Sequence, residues 1–117
     1  MSTSTEQVNY EWLCVMPDQA DALPRRLAVR EKHLVNMKSL SDAGKISYGG
    51  IMLDRPTLPS ETPIPFAGST IILLASSKEE AIATLKADPY TAGNVWDWDK
   101  AEIYPFRTAI RGPVPSS

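Results

Sequence analysis

A single cysteine and a single histidine stand among 117 residues, and the charges nearly cancel at a net −2. The lone thiol, Cys14, excludes an internal disulfide and suits a reducing compartment. One histidine, one cysteine and no carboxylates clustered at ligand spacing leave no metal set to assemble, so no metal is expected. No phosphate-cradling glycine loop is present, because Gly49-Gly50 lacks the rest of any such fingerprint. No cofactor is expected either. The lysines and arginines are dispersed, which argues against a nucleic-acid partner. A weakly acidic chain has no electrostatic attraction to an anionic membrane, and no run approaches the roughly 18 apolar residues of a spanning helix. Met1 to Gln7 contain neither a basic stretch nor an apolar one, so no signal peptide is expected and the cytoplasm is the expected location.

What remains is an ordinary globular composition, 43% apolar and 22% charged, of a length that makes one domain. The expected division is a polar tail over 1–8, a folded domain over 9–110 and a second tail over 111–117. The domain is organised around residues 26–40, which read as a helix. At 100° per residue, Leu27, Leu34, Met37 and Leu40 fall within about 140° of one another. His33 lies inside that stripe and Arg30 one turn before it. Two readings are open: a core histidine with a snorkelling arginine, or an acid/base group at the wall of a pocket.

Before this helix, residues 10–16 read as a strand rich in aromatic and branched side chains, apolar on both faces and therefore central in a sheet. Cys14 is read there as a small buried hydrophobe rather than a nucleophile. Asp21 is a plausible helix N-cap, with Pro24 in the first turn and Gly44 placed to stop the helix. Residues 45–52 form a second strand, where Gly49-Gly50 suggest a bulge or a backbone approached by a ligand. Four prolines make 53–67 a stiff loop, either a functional lid or a solvated excursion. Residues 68–75 are the most apolar strand. Ser77-Lys78-Glu79-Glu80 is a capping box for a second helix, which Asp88-Pro89 ends. Residues 90–99 read as a loop, and 101–107 as a last strand that Pro105 demotes to an edge or a bulge. The order β-α-β-β-α-β is the ferredoxin-like pattern, an α+β fold with an antiparallel sheet and two helices on one face. The opposite sheet face needs cover, and a second copy of the sheet would supply it as a homodimer.

Arg30-x-x-His33-Leu34, Gly44, Gly50, Gly68-Ser69, Asp88-Pro89-Tyr90, Gly93, Val95 and Ile103-x-Pro105-Phe106 follow one another over residues 10–108. In that order the chain resembles the YCII-related family of small ferredoxin-like proteins. The resemblance implies a dimeric α/β barrel with a cleft in each subunit. It also implies a histidine–aspartate site, carried here by His33 and Asp88, with Ser69 as a further site position. One member of that family is a dehydrochlorinase of chlorinated aromatic breakdown. The 53–67 loop and the Trp96/Trp98 segment depart from shorter members.

The residues themselves keep several roles open. An imidazole with an ordinary pKa near ~6.5 exchanges a proton near neutrality, and a neighbouring carboxylate fixes its tautomer. Asp88 is that partner or a turn-forming Asp-Pro. Arg30 clamps an anionic group or pairs with a carboxylate. Ser69 donates to a ligand or starts a strand. Tyr90 and Trp96 stack on an aromatic ligand or simply pack. The expected function is a cofactor-free acid/base enzyme performing elimination, isomerisation or hydrolysis on a small cyclic or aromatic molecule. The alternatives are a cofactor-independent oxygenase and a non-catalytic small-molecule-binding or accessory protein.

Overall fold

The structure is a computed structural model describing residues 8–113. Residues 1–7 and 114–117, within the two expected tails, lie outside the described residues. The elements are β1 (Tyr10–Pro17), α1 (Leu23–Asp42), β2 (Ile46–Leu53), β3 (Phe66–Ala75), α2 (Lys78–Lys86), α3 (Pro89–Ala92) and β4 (Glu102–Phe106). The four strands make one antiparallel sheet in the order β2-β3-β1-β4, as a ferredoxin-like α+β fold requires. Alternation sends Cys14, Met16, Ile71, Leu73, Ala75 and Ile103 toward the helices, where Ala81 and Leu85 of α2 meet them. Tyr90, Val95 and Trp96 complete that core. Cys14 is fully buried, and burial pushes its thiol up to about 12, so it packs as a hydrophobe.

The helix α1 departs from the expected apolar stripe. Its buried residues are Arg26 and His33, whereas Leu27 is 57% and Leu34 is 48% exposed. The inward face is turned by one residue, onto positions 26, 30, 33 and 37. Its aliphatic contacts with the core come from Val29 and Met37, on either side of His33, and not from Leu27 or Leu34. Buried ion-pair and hydrogen-bond contacts anchor it, and a cavity lies between it and β2 and β3. Asp21 is not its N-cap. Asp21 takes a left-handed turn conformation (φ 57°), and the cap position falls to Ala22, which has no capping side chain. The Arg25 side chain holds that turn instead, donating to the carbonyls of Ala20, Asp21 and Asn94. Gly44 ends the helix as expected, in the left-handed region (φ 74°).

In β2 the pairing shifts lie between Ile46 and Tyr48 and between Met52 and Leu53, on either side of the glycine pair. Gly49 and Gly50 themselves pair regularly, with Ile71 and Thr70. The proline-rich loop reduces to residues 54–65, closed at its root by Leu53 paired with Phe66 and by Asp54 N–H donating to Pro65 O at 3.0 Å. None of these residues lines the cavity under α1.

Ser77 caps α2, its Oγ accepting from Glu80 N at 3.1 Å, while the Glu80 carboxylate turns back to Ser76. The segment after Asp88 is not wholly a loop, because α3 begins at Pro89. An aspartate followed by a proline ends one helix and starts another equally well. Asp88 accepts from Tyr90 N at 2.8 Å as N-cap, and Pro89 sits where no helical N–H is required.

Candidate active site

Asp88 is 1% exposed, yet its carboxylate is fully satisfied. Oδ1 accepts from Tyr90 N at 2.8 Å and lies 2.7 Å from His33 Nδ1, while Oδ2 accepts from Asn36 Nδ2 at 2.8 Å. A carboxylate offers only acceptor atoms, so Nδ1 is the protonated nitrogen facing it. His33 Nε2 is then the nitrogen left for the cavity, without a hydrogen-bond partner among the described residues. The imidazole is clamped flat on the Tyr90 ring, centroids 3.7 Å apart and planes 7° from parallel, with Trp96 edge-on at 5.8 Å. These contacts fix the ring's position, its plane and its tautomer together. α1 supplies His33 and Asn36 from successive turns, and the α2–α3 junction supplies Asp88.

Next to this pair is a second buried group. Arg26 binds Asp18 in a forked contact, Nε to Oδ2 at 2.9 Å and Nη2 to Oδ1 at 3.3 Å. The same guanidinium donates to Gly68 O at 3.1 Å, to Ser69 Oγ at 3.0 Å and to Tyr90 Oη at 3.4 Å. Gly68 is a glycine because a Cβ there would meet Met16 O and the Met52 methyl at 2.5 Å. Burial pushes the Tyr90 phenol above its ordinary value, against the pull of Arg26 and Arg30.

Ser69 Oγ accepts from two sides, from Arg26 Nη2 at 3.0 Å and from Trp96 Nε1 at 3.2 Å. A hydroxyl has two acceptor sites and one proton. With both acceptor sites used, the Ser69 proton is free to donate, and Ser69 lines the cavity. Trp96 is 1% exposed and does not line the cavity, so of its two readings the structure has the packed one: it backs His33 and Tyr90 and orients Ser69. Tyr90 lines the wall, but its face is covered by the imidazole.

The cavity has a volume of about 440 Å³ and is lined by Arg26, Arg30, His33, Ser69 and Tyr90 at one end. Leu34, Met37, Ile46, Ile51 and Ile71, with Gly49 and Gly50, line the rest. Arg30 makes no hydrogen bond or ion pair among the described residues, and it lies 5.7 Å from the centre of the Phe66 ring. Alternation places Gly49, paired with Ile71, on the helix side of β2 and turns Gly50 outward, although both border the mouth. No group of three or more metal-ligating side chains occurs among the described residues.

The sequence reading missed Arg26, Asp18 and Asn36. Arg26 was within reach of spacing, being seven residues before His33 on its face of the helix, whereas an asparagine three residues after it carried no distinct signal. Asp18 carried no signal, because only the path of the turn after β1 brings it beneath α1.

A model of the YCII-related domain matches residues 10–107, and the chain belongs to that family. It is 36% identical over 101 residues to the aspercryptin biosynthesis cluster protein B of Emericella nidulans, covering 86% of this chain and 65% of that protein. It is 38% identical over 92 residues to protein YciI of Escherichia coli O6:H1, covering 77% of this chain and 89% of that one. An aspartate kinase of Fusarium oxysporum f. sp. lycopersici also matches, and there the chain spans 18% of the protein's length. Among solved structures, the fold is similar to a 5-chloro-2-hydroxyhydroquinone dehydrochlorinase from Burkholderia phenoliruptrix AC1100 in complex with 2,5-dihydroxybenzoquinone. The TM-score is 0.72, with 22% identity over 85% of this chain and 95% of that one.

Proposed function

We propose that the chain is a cofactor-free acid/base enzyme that takes a proton from, and returns one to, a small cyclic or aromatic molecule held in the cavity. The observation that carries this reading is the Asp88 carboxylate, which accepts from His33 Nδ1, Asn36 and the Tyr90 amide at once and leaves His33 Nε2 for the cavity. In this role His33 Nε2 is the proton-transferring atom, and Asp88 fixes its tautomer and balances the imidazolium formed when the proton is taken. Ser69 donates its hydroxyl proton to an oxygen of the bound molecule. Arg30 holds the substrate electrostatically, and the Gly50 backbone borders the mouth. Elimination and isomerisation both begin with such a transfer. The dehydrochlorinase of similar fold and the relative from a biosynthesis cluster are in keeping with small-molecule chemistry.

The working form in this reading is a cytoplasmic homodimer. The sheet face away from the helices carries Leu13, Val15, Ile72, Leu74, Tyr48, Tyr104 and Phe106, with Tyr48 61% exposed. A second copy laid on this face would bury it.

Deuterium exchange tests the chemistry without knowledge of the natural substrate. Ring C–H exchange of 2,5-dihydroxybenzoquinone and related enolisable cyclic acids in D₂O, followed by proton NMR, should be accelerated by the protein. His33→Ala should lose the acceleration while still binding the compound. Exchange that survives His33→Ala with binding intact would sink the proposal.

A further inference from the structure

We infer that the substrate is a monocarboxylic acid with an apolar body, its carboxylate held by Arg30 and Ser69 and its body lying along the mouth between Leu34 and Gly49. This rests on the proposed acid/base site and names its substrate class. Charge is the first argument. The guanidinium carbons of Arg26 and Arg30 lie 4.5 and 5.7 Å from the centre of the same Phe66 ring. Asp18 neutralises Arg26, Lys38 at the rim is paired with Asp42 at 2.9 Å, and no aspartate or glutamate lines the cavity. Asp18 is taken by Arg26 and Asp88 by His33, so Arg30 is the guanidinium of the pair without a carboxylate partner among the described residues, and it faces a cavity whose lining contains no acid. The Ser69 hydroxyl, with both acceptor sites occupied, is a donor awaiting an acceptor beside them. A singly charged planar oxyanion satisfies both groups.

Shape is the second argument. Away from this polar end the lining is aliphatic, formed by Leu34, Met37, Ile46, Ile51 and Ile71. Gly49 faces the helix side with open space around the position of a Cβ, so its lack of a side chain keeps the mouth wide. A carboxylate at the polar end leaves the apolar body passing His33, whose Nε2 can then reach a carbon-bound proton of that body.

Calorimetric titration of the full chain with butanoate, hexanoate, octanoate, benzoate and 4-butylbenzoate, each against its primary amide, tests the assignment. Affinity should rise about two- to fourfold per added methylene, and each acid should bind at least about tenfold more tightly than its amide. Arg30→Gln should bring acid and amide together. Gly49→Leu, checked by thermal melting for an intact fold, should abolish the gain with chain length. Acid and amide binding alike in the native protein, or an acid preference that survives Arg30→Gln, would overturn the assignment. So would a chain-length gain that survives Gly49→Leu. These are binding measurements that do not pass through His33 chemistry. A failure here alongside deuterium exchange that depends on His33 would discard the substrate class and leave the acid/base reading standing.

Discussion

Asp88 does three things with two oxygens. It caps α3, fixes Asn36 and meets the imidazole of His33. Asparagine is also a good N-cap, so Asp88→Asn retains the cap while removing the charge at Nδ1. The expected result is a fall in catalysed exchange of about 10²–10⁴-fold with little change in melting temperature. An equal loss of stability and exchange would assign Asp88 to the fold alone. The side-by-side placement of His33 and Asp88 was accessible from the residue types and the family resemblance. The role of Asn36 was not, because an asparagine three residues from a histidine has many ordinary uses on a helix surface. The Ser69 proton was equally out of reach, since its direction follows from Arg26 and Trp96, which are 43 and 27 residues away in sequence.

Among the elements, α1 departs most from its sequence. Leu27 and Leu34 suggested a helix held by its aliphatic stripe, but the inward line is Arg26, Arg30, His33 and Met37. Periodicity marks which residues share a face. It does not say which face a protein turns inward when a buried ion pair outweighs two leucines. Strands β1 and β3 were legible because both of their faces are apolar, and α2 because its capping box and Ala81/Leu85 side agree. Helix α3 was missed because Asp88-Pro89 was read as a stop only. The seam between β1 and β3 carries a sharp test. Gly68 has no room for a Cβ against Met16 O, and its carbonyl is an acceptor for Arg26. Gly68→Ala should lower stability by about 1–3 kcal/mol and weaken ligand binding through the displaced Arg26–Ser69 contact. Denaturant titration and calorimetry measure both. An unchanged midpoint would mean the strand yields more readily than this packing implies.

In the whole molecule, helices cover one face of the sheet, and on the other residues 107–112 run beside Leu13, Tyr48 and Ile72, with Thr108 N–H donating to the Glu11 carboxylate. Helices pack on the Cys14/Ile71/Leu73 side, while Tyr48, Tyr104 and Phe106 stand exposed at 61%, 45% and 39% on the other. The β-α-β-β-α-β order was legible because each strand carried its own punctuation, and it fixes which face the helices leave bare. If the homodimer reading holds, sedimentation at micromolar concentration should give twice the chain mass of 12.9 kDa. Tyr48→Lys with Tyr104→Lys should then shift the protein to monomer, because four added cations on a self-complementary face repel one another. A native chain that sediments as a monomer would remove the sheet-on-sheet pairing. It would leave the cavity, which this chain lines by itself, unaffected.

The central claim is that Asp88 holds the proton on Nδ1 and leaves Nε2 as the working nitrogen. His33 is the only histidine in the chain, so a long-range nitrogen–proton correlation spectrum of ¹⁵N-labelled protein contains one imidazole and needs no assignment. At a pH where the ring is neutral, the account predicts a protonated Nδ1 and an unprotonated, pyridine-like Nε2, with the pattern weakened or reversed in Asp88→Asn. A neutral ring protonated on Nε2 in the native protein would contradict it, because the nitrogen facing the cavity would then have no lone pair with which to take a proton.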